Sequence, residues 1–369
     1  MSGFWAIVFL SGWSKKNTAK FFLGFFMAIA FLLYLGHSLF FYAFFDQYLI
    51  YDPVYVFSSL MVYPVYYQYI RLLTVDNSIR KHYLWHYVPA FIVGSMALLV
   101  NKECRHLAEV NSSNYFTEAY RFSFNLSSDY FWGRLVFMLN RLIYLAQIVF
   151  YFVKGYALIK QHEKRIQDFY SNHVGRDIRW SSYIFQSFVL VAVFSILFNI
   201  IGKTAFLNND RLLLIPSLLF SSMLFVLGFL GNGQNQVVSE ISRDDSLVHG
   251  ADHPSRIDRA ELHRKINQLF LEQKIYLNHD LKIWDISSLL GTNRTYVSQF
   301  INAEYGMNFS MFVNSYRVAE AKSLLGRNDG DVYSLDVIGE RCGFGSYSNF
   351  IRVFRAMEKI TPGQYRDNQ

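Results

Sequence analysis

The sequence predicts an all-α protein in two unlike parts, a polytopic transmembrane helical bundle followed by a soluble domain built from two helix-turn-helix units. Three observations carry this. Hydrophobic residues make up 52% of the 369 positions and aromatics 18%, and most of the 36 Phe and 26 Tyr fall before residue 232. Six apolar runs of about span length lie in that first part, between loops whose Lys and Arg content alternates. Further on, one pattern occurs twice: a short apolar-periodic helix, a glycine, a polar turn residue and a second amphipathic helix. The expected organisation is a transmembrane domain over 1–232, a linker over 233–255 and a double helix-turn-helix domain over 256–369.

Residues 1–13 are apolar but fall short of the ~20 residues that a crossing needs. No basic stretch precedes them and no small-residue cleavage site follows. They read as a half-span, an interfacial segment or a first helix shortened at its start. The six longer runs lie near 21–45, 54–73, 84–100, 131–153, 181–201 and 212–231, with Pro64 marking a kink in the second and Pro89 lying in the third. Loops 14–20, 74–83 and 154–180 are basic, the last through Lys154, Lys160, Lys164, Arg165, Arg176 and Arg179. Loop 46–53 carries Asp46 and Asp52 and no Lys or Arg. The basic loops are therefore expected in the cytoplasm, and six crossings return Asn232 to that side. A domain that meets DNA has to lie there, so two independent lines of reasoning agree.

The formal charge is +7, but residues 251–369 hold 15 Lys and Arg against 14 Asp and Glu, a net of +1. Bulk charge adds little to the case for nucleic acid; the local cluster Arg352, Arg355 and Lys359 adds more. The two cysteines, Cys104 and Cys342, offer neither a disulfide framework nor a metal spacing. No Gly-rich phosphate loop and no Ser/His/Asp set stands out, so no enzyme, cofactor or metal centre is expected. The polar stretch 233–254, with GNGQNQ and SRDDS, lacks apolar periodicity and reads as a linker. Residues 256–273 resume helical spacing through Ile257, Leu262, Ile266, Leu269 and Phe270.

Gly291 and Gly343 stand where the first helix of each unit must stop and turn, a place where φ > 0 is cheap only for glycine. Asn293 and Ser346 follow as N-cap candidates. Val297, Phe300 and Ile301, and in the second unit Phe350, Val353 and Phe354, repeat at helical spacing and are expected to pack on Ile286, Leu290, Ile338 and Cys342. A continuous helix over 311–325 is expected to join the units. The opposite faces are free to meet DNA. Thr295, Ser298 and Gln299, then Tyr347, Ser348, Asn349 and Arg352, are candidates to reach bases in the major groove; Gln299 suits adenine and Arg352 guanine. Arg294, Arg355 and Lys359 look like phosphate clamps.

NSYRVAEAKSLL in the joining helix, GFGSYSNFIRVF around the second recognition helix and TPGQYR at the end resemble the DNA-binding domain of AraC-type transcription regulators. The resemblance covers roughly 262–366 and makes the soluble part AraC-like. It implies a bacterial protein whose base contacts fall at the positions just named. One departure is MEKITPGQYR, where the family usually has a glycine shortly before the Thr-Pro and this chain has Lys359 and Ile360. The expected whole is a multi-pass protein of the bacterial inner membrane with its C-terminal domain in the cytoplasm. It senses a small-molecule or membrane signal and regulates transcription on promoter DNA. Expected partners are the lipid bilayer, duplex DNA, a second copy of the chain on DNA, and RNA polymerase. The alternative is a transporter or intramembrane enzyme with a regulatory DNA-binding tail.

Polar groups inside spans are costly and carry a functional hypothesis by default. His37 lies in the first long run and Arg134, Arg141 and Gln147 in the fourth. His37 and Arg141 are the candidate ligand-binding pair, Arg141 holding an anionic group. The competing expectation is that these groups pair within the bundle or reach its interface. Tyr63, Tyr66, Tyr67 and Tyr69 are expected to serve packing.

Overall fold

The computed structural model describes residues 1–12, 18–75, 79–103, 115–116, 118, 129–172, 186, 189–190, 193–197, 201, 210–232, 258–326 and 333–369. Its named elements are all helical, and the chain divides into two compact units. One comprises Met1–Ile159 with Trp180–Val238, the other Lys160–Arg179 with Ser239–Gln369. The linker expected over 233–254 and most of the run expected over 181–201 lie outside the described residues.

The first unit begins with α1 (Ser2–Ser11), α2 (Thr18–Phe41) and α3 (Phe45–Thr74). A 3₁₀ turn over Lys81–Tyr87 leads into α4 (Val88–Glu103). Pro89 stands in the first turn of α4, where a missing N–H costs nothing. Then come α5 (Phe131–Phe169) and α6 (Asp210–Asn232). α2 packs between α1, α3 and α6, and α4 packs on α3. The close approach of α1 to α6 depends on Gly228, where a Cβ would stand 2.5 Å from the Trp5 indole. The core runs through Leu23, Met27, Leu60, Tyr63, Val65, Tyr66 and Tyr69. Those tyrosines are packing residues, as expected.

The loop read from composition over 46–53, and the one read over 154–180 as far as Phe169, are helix instead. Residues 46–53 open α3, with Pro53 and Pro64 both inside it. Asp46 lies in the first turn, where a carboxylate favours the positive end of the helix dipole. α5 runs well past its apolar portion to Phe169, because KQHEKRIQ is made largely of good helix formers and contains no Gly or Pro. Charge had marked both stretches as loops, but charge decides solvent exposure, not backbone conformation.

In the second unit α7 (Arg259–Asn267) continues into a π-turn over Gln268–Glu272. Next come α8 (Ile283–Leu290) and α9 (Arg294–Tyr305), then α10 (Phe309–Leu325). α11 (Leu335–Arg341), α12 (Tyr347–Glu358) and α13 (Pro362–Asp367) complete it. α10 starts two residues before the expected position, because Asn308 caps it by accepting the Met311 N–H at 2.9 Å. The second helix-turn-helix is α11 with α12, packed on α10 through Val318, Ala321, Leu325, Ile338, Cys342, Phe350 and Phe354. The Lys322–Glu358 ion pair, 2.9 Å, ties α10 to α12 at the surface.

Candidate nucleic-acid interface

Each recognition helix is set by its turn. Gly291 closes α8 at φ +65°, and Asn293 then caps α9 by accepting the Tyr296 N–H at 2.7 Å. Gly343 holds φ +81° after α11, and Ser346 caps α12 by accepting the Asn349 N–H at 3.3 Å. Such a cap is worth about 1 kcal/mol. The inward faces are as expected: Val297, Phe300 and Ile301 on α9, and Phe350, Val353 and Phe354 on α12, are buried with Ile286, Leu290, Ile338 and Cys342. Burial pushes the Cys342 thiol up to about 12, so it stays protonated and inert.

Burying one face fixes the other outward. Thr295, Gln299, Tyr347, Ser348, Arg352, Arg355 and Lys359 are exposed, and Arg294 and Ser298 are half-buried. Ser298 lies beside Asn302, which donates to its carbonyl at 2.9 Å. Arg352 is steered by its own helix, donating to Asn349 Oδ1 at 2.6 Å. Asn349 departs from the expected open face, being buried at 7% exposure. Its Nδ2 donates to Asn172 Oδ1 at 3.0 Å.

Lys359 stands at the glycine departure. It ends α12 at φ +65°, the left-handed conformation a glycine would take cheaply, and its N–H bonds the Arg355 carbonyl at 3.0 Å. For a side-chain-bearing residue this costs about 1–2 kcal/mol. The turn is thus kept although the residue differs. Thr361 then opens α13 with a capping box to Gln364 and Pro362 in the first turn.

Within the second unit, on the helix that joins the two helix-turn-helix pairs, Arg317 of α10 is wholly buried. Its Nε donates to the Tyr276 carbonyl and its NH2 to the Asn278 carbonyl, both at 2.7 Å. Burial lowers its pKa to about 10, so it is charged at neutral pH and its charge is answered by carbonyl dipoles. Nothing in the residue pattern singled out this arginine from the other basic positions.

The two candidate ligand residues lie in the first unit. His37 on α2 is packed among Tyr34, Phe41 and Tyr55, stacked on Phe41 at 5.7 Å between centroids. Arg141 is half-buried on α5. Arg134 pairs with Glu118 at 2.8 Å, and Ser59 donates to Asn140 at 3.1 Å between α3 and α5. Pairing within the bundle therefore accounts for Arg134 and Asn140.

Residues 286–368 match a family described as a helix-turn-helix domain. The C-terminal region is an AraC-type helix-turn-helix domain. Over 90 residues the chain is 38% identical to the uncharacterized HTH-type transcriptional regulator YtdP of Bacillus subtilis, covering 24% of this chain and 11% of that protein. Over 91 residues it is 32% identical to the regulatory protein PocR of Salmonella typhimurium, covering 25% of this chain and 29% of PocR. Among solved structures it is similar to the C-terminal domain of AraT, a response regulator from Geobacillus stearothermophilus. That likeness has 24% identity and a TM-score of 0.27, over 31% of this chain and 89% of the other. The chain thus spans under a third of the length of these two curated relatives.

Proposed function

We propose that this chain is a membrane-bound transcription regulator that binds promoter DNA in a sequence-specific manner through α9 and α12. The observation that carries the reading is the split of each recognition helix into a buried apolar face and a polar outer face, each set by a left-handed glycine turn. Thr295, Ser298 and Gln299, with Tyr347, Ser348 and Arg352, are assigned to base edges, and Asn349 joins them only once its amide is uncovered. Arg294, Arg355 and Lys359 hold phosphates. Replacing Arg352 with alanine is expected to cost about 1–3 kcal/mol at the cognate site and much less on random DNA. A titration against both duplexes checks this; equal weakening on the two would make Arg352 a phosphate contact.

The membrane reading rests on the first unit. Among the described residues, three helices are long and apolar enough to cross a bilayer: Thr18–Phe41, Lys81–Glu103 and Phe131–Phe169. Large apolar side chains also point outward there, including Ile7 (70% exposed), Leu98 (61%), Leu142 (62%) and Phe229 (64%). Soluble proteins rarely leave contiguous apolar patches beyond a few hundred Å² uncovered, and lipid chains would cover these. At ~1.5 Å per residue α5 is ~58 Å long, against a hydrocarbon core of ~30 Å. Its end, with Lys154, Lys160, Lys164 and Arg165, then projects beyond the core. The positive-inside rule places that end, and the DNA-binding domain, in the cytoplasm. A signal at the first unit, with His37 and Arg141 as candidate contacts, then biases DNA binding, with two copies cooperating on DNA. A reporter fused after Gln369 is expected to be active only in the cytoplasm; activity outside would end this reading.

A further inference from the structure

The second unit contains a segment of chain far from the helix-turn-helix domain in sequence. The end of α5 and the three residues after it thread through the DNA-binding domain. Phe169, Tyr170, Ser171 and Asn172 are all buried, at 3%, 0%, 0% and 4% exposure. Tyr170 pairs antiparallel with Lys282 at the start of α8. The Ser171 N–H donates to the Leu281 carbonyl at 3.1 Å, and its hydroxyl donates to the same carbonyl at 2.6 Å. On α10, Asn308 donates to Gln167 Oε1 at 3.2 Å and Arg317 to the Ser171 hydroxyl at 3.2 Å. At the second helix-turn-helix, Asn349 donates to Asn172 Oδ1, and Gly345 lies so close that an added Cβ would overlap the Asn172 amide. Six residues therefore bind the first helix-turn-helix, the joining helix and the second helix-turn-helix at once.

The residues held are ones that DNA would need. Asn349 is buried under Asn172, and Arg352 is tied to Asn349. The Arg294 guanidinium lies 5.3 Å over the Phe169 ring. The Asn349 amide cannot serve Asn172 and a base edge together, because a buried amide cannot reach a duplex.

We propose that Gln167–Asn172 is an intramolecular strap seated in a groove across the two helix-turn-helix units, and that DNA and the strap compete for that groove. This rests on the DNA-binding reading above. The strap is the continuation of a helix that begins at Phe131, so a movement of that helix along or about its axis is transmitted directly to Asn172. The groove takes a helix end with an aromatic pair, followed by two small polar residues. Backbone pairing at Leu281 and Lys282 gives affinity, and amide recognition at Asn349 gives specificity. Release uncovers Asn349 and removes the Phe169 ring from beside Arg294, so displacing one segment changes both recognition helices at once.

The test uses the full chain in lipid nanodiscs, in a Cys104→Ser background, with Asn172→Cys and Gly345→Cys combined. The Cβ that Gly345 would carry lies 3.0 Å from Asn172 Cγ, so the two thiols meet across a short gap. The probe is a duplex selected by the reduced protein from a random-sequence pool. Oxidation is expected to form the bridge and weaken binding at least about tenfold, with reduction restoring it. Asn172→Ala alone is expected to tighten binding about threefold or more relative to the unmodified chain. Failure of the bridge to form, or equal binding by the bridged and reduced protein, overturns the strap and leaves the DNA-binding reading standing. If the reduced protein selects no duplex at all, both fall.

Discussion

Gly343→Ala is expected to destabilise the second helix-turn-helix by about 2–5 kcal/mol, whereas Gly291→Ala costs only about 1 kcal/mol. The two glycines play the same part in the residue pattern, and both have positive φ. Their surroundings separate them. A Cβ on Gly291 meets open space. A Cβ on Gly343 would lie 2.6 Å from the Leu277 carbonyl oxygen and 2.7 Å from that of Tyr276. Those are backbone atoms, and the Tyr276 carbonyl is already held by Arg317, so the neighbour cannot yield as a flexible side chain would. Conformational cost and overlap therefore add at Gly343, and only the first applies at Gly291. Hydrogen-exchange protection of the peptides over α11 and α12, compared with those over α8 and α9, measures the difference. Similar loss of protection in the two variants would refute it.

Arg317→Met is expected to cost about 1–3 kcal/mol although methionine fills similar space, because the buried Tyr276 carbonyl loses its donor and the part-buried Asn278 carbonyl loses one as well. Part of that is returned, since a charge no longer has to be held out of water. Arg317→Lys is expected to rescue little: one ammonium cannot span the Tyr276 and Asn278 carbonyls and the Ser171 hydroxyl as the planar fork does. The pH dependence follows from the same burial. Folding lowers the Arg317 pKa to about 10, so the unfolded chain binds more protons only above that value. This residue therefore raises stability with pH only beyond about 10 and contributes no slope near neutrality. Thermal unfolding of the two variants beside the unmodified chain checks the ranking. A methionine variant as stable as the parent would show that those carbonyls find other donors.

Much of the candidate interface was legible because it depends on local rules. Helical spacing of Val297, Phe300 and Ile301, and of Phe350, Val353 and Phe354, determines which face is buried, and hence which is presented. Gly291, Gly343, Asn293 and Ser346 sit where backbone sterics and unpaired N–H groups demand those residue types. Lys359 shows the limit of such rules in a useful way. The turn survives without its usual glycine, because the surrounding contacts outweigh a cost of about 1–2 kcal/mol.

The residues alone thus determined an all-helical chain with an apolar first part, two helix-turn-helix units and the outward set of α9 and α12. They did so because periodicity, capping and turn chemistry act over a few neighbouring positions. Tertiary structure alone decided that Arg317 is a buried fork, that Gly343 tolerates no Cβ while Gly291 has room, and that Asn349 is covered by Asn172. These depend on contacts between positions 39 to 177 residues apart in the chain, which no local pattern encodes. A basic stretch reads as a solvated loop until the fold shows which of its neighbours end up in a groove.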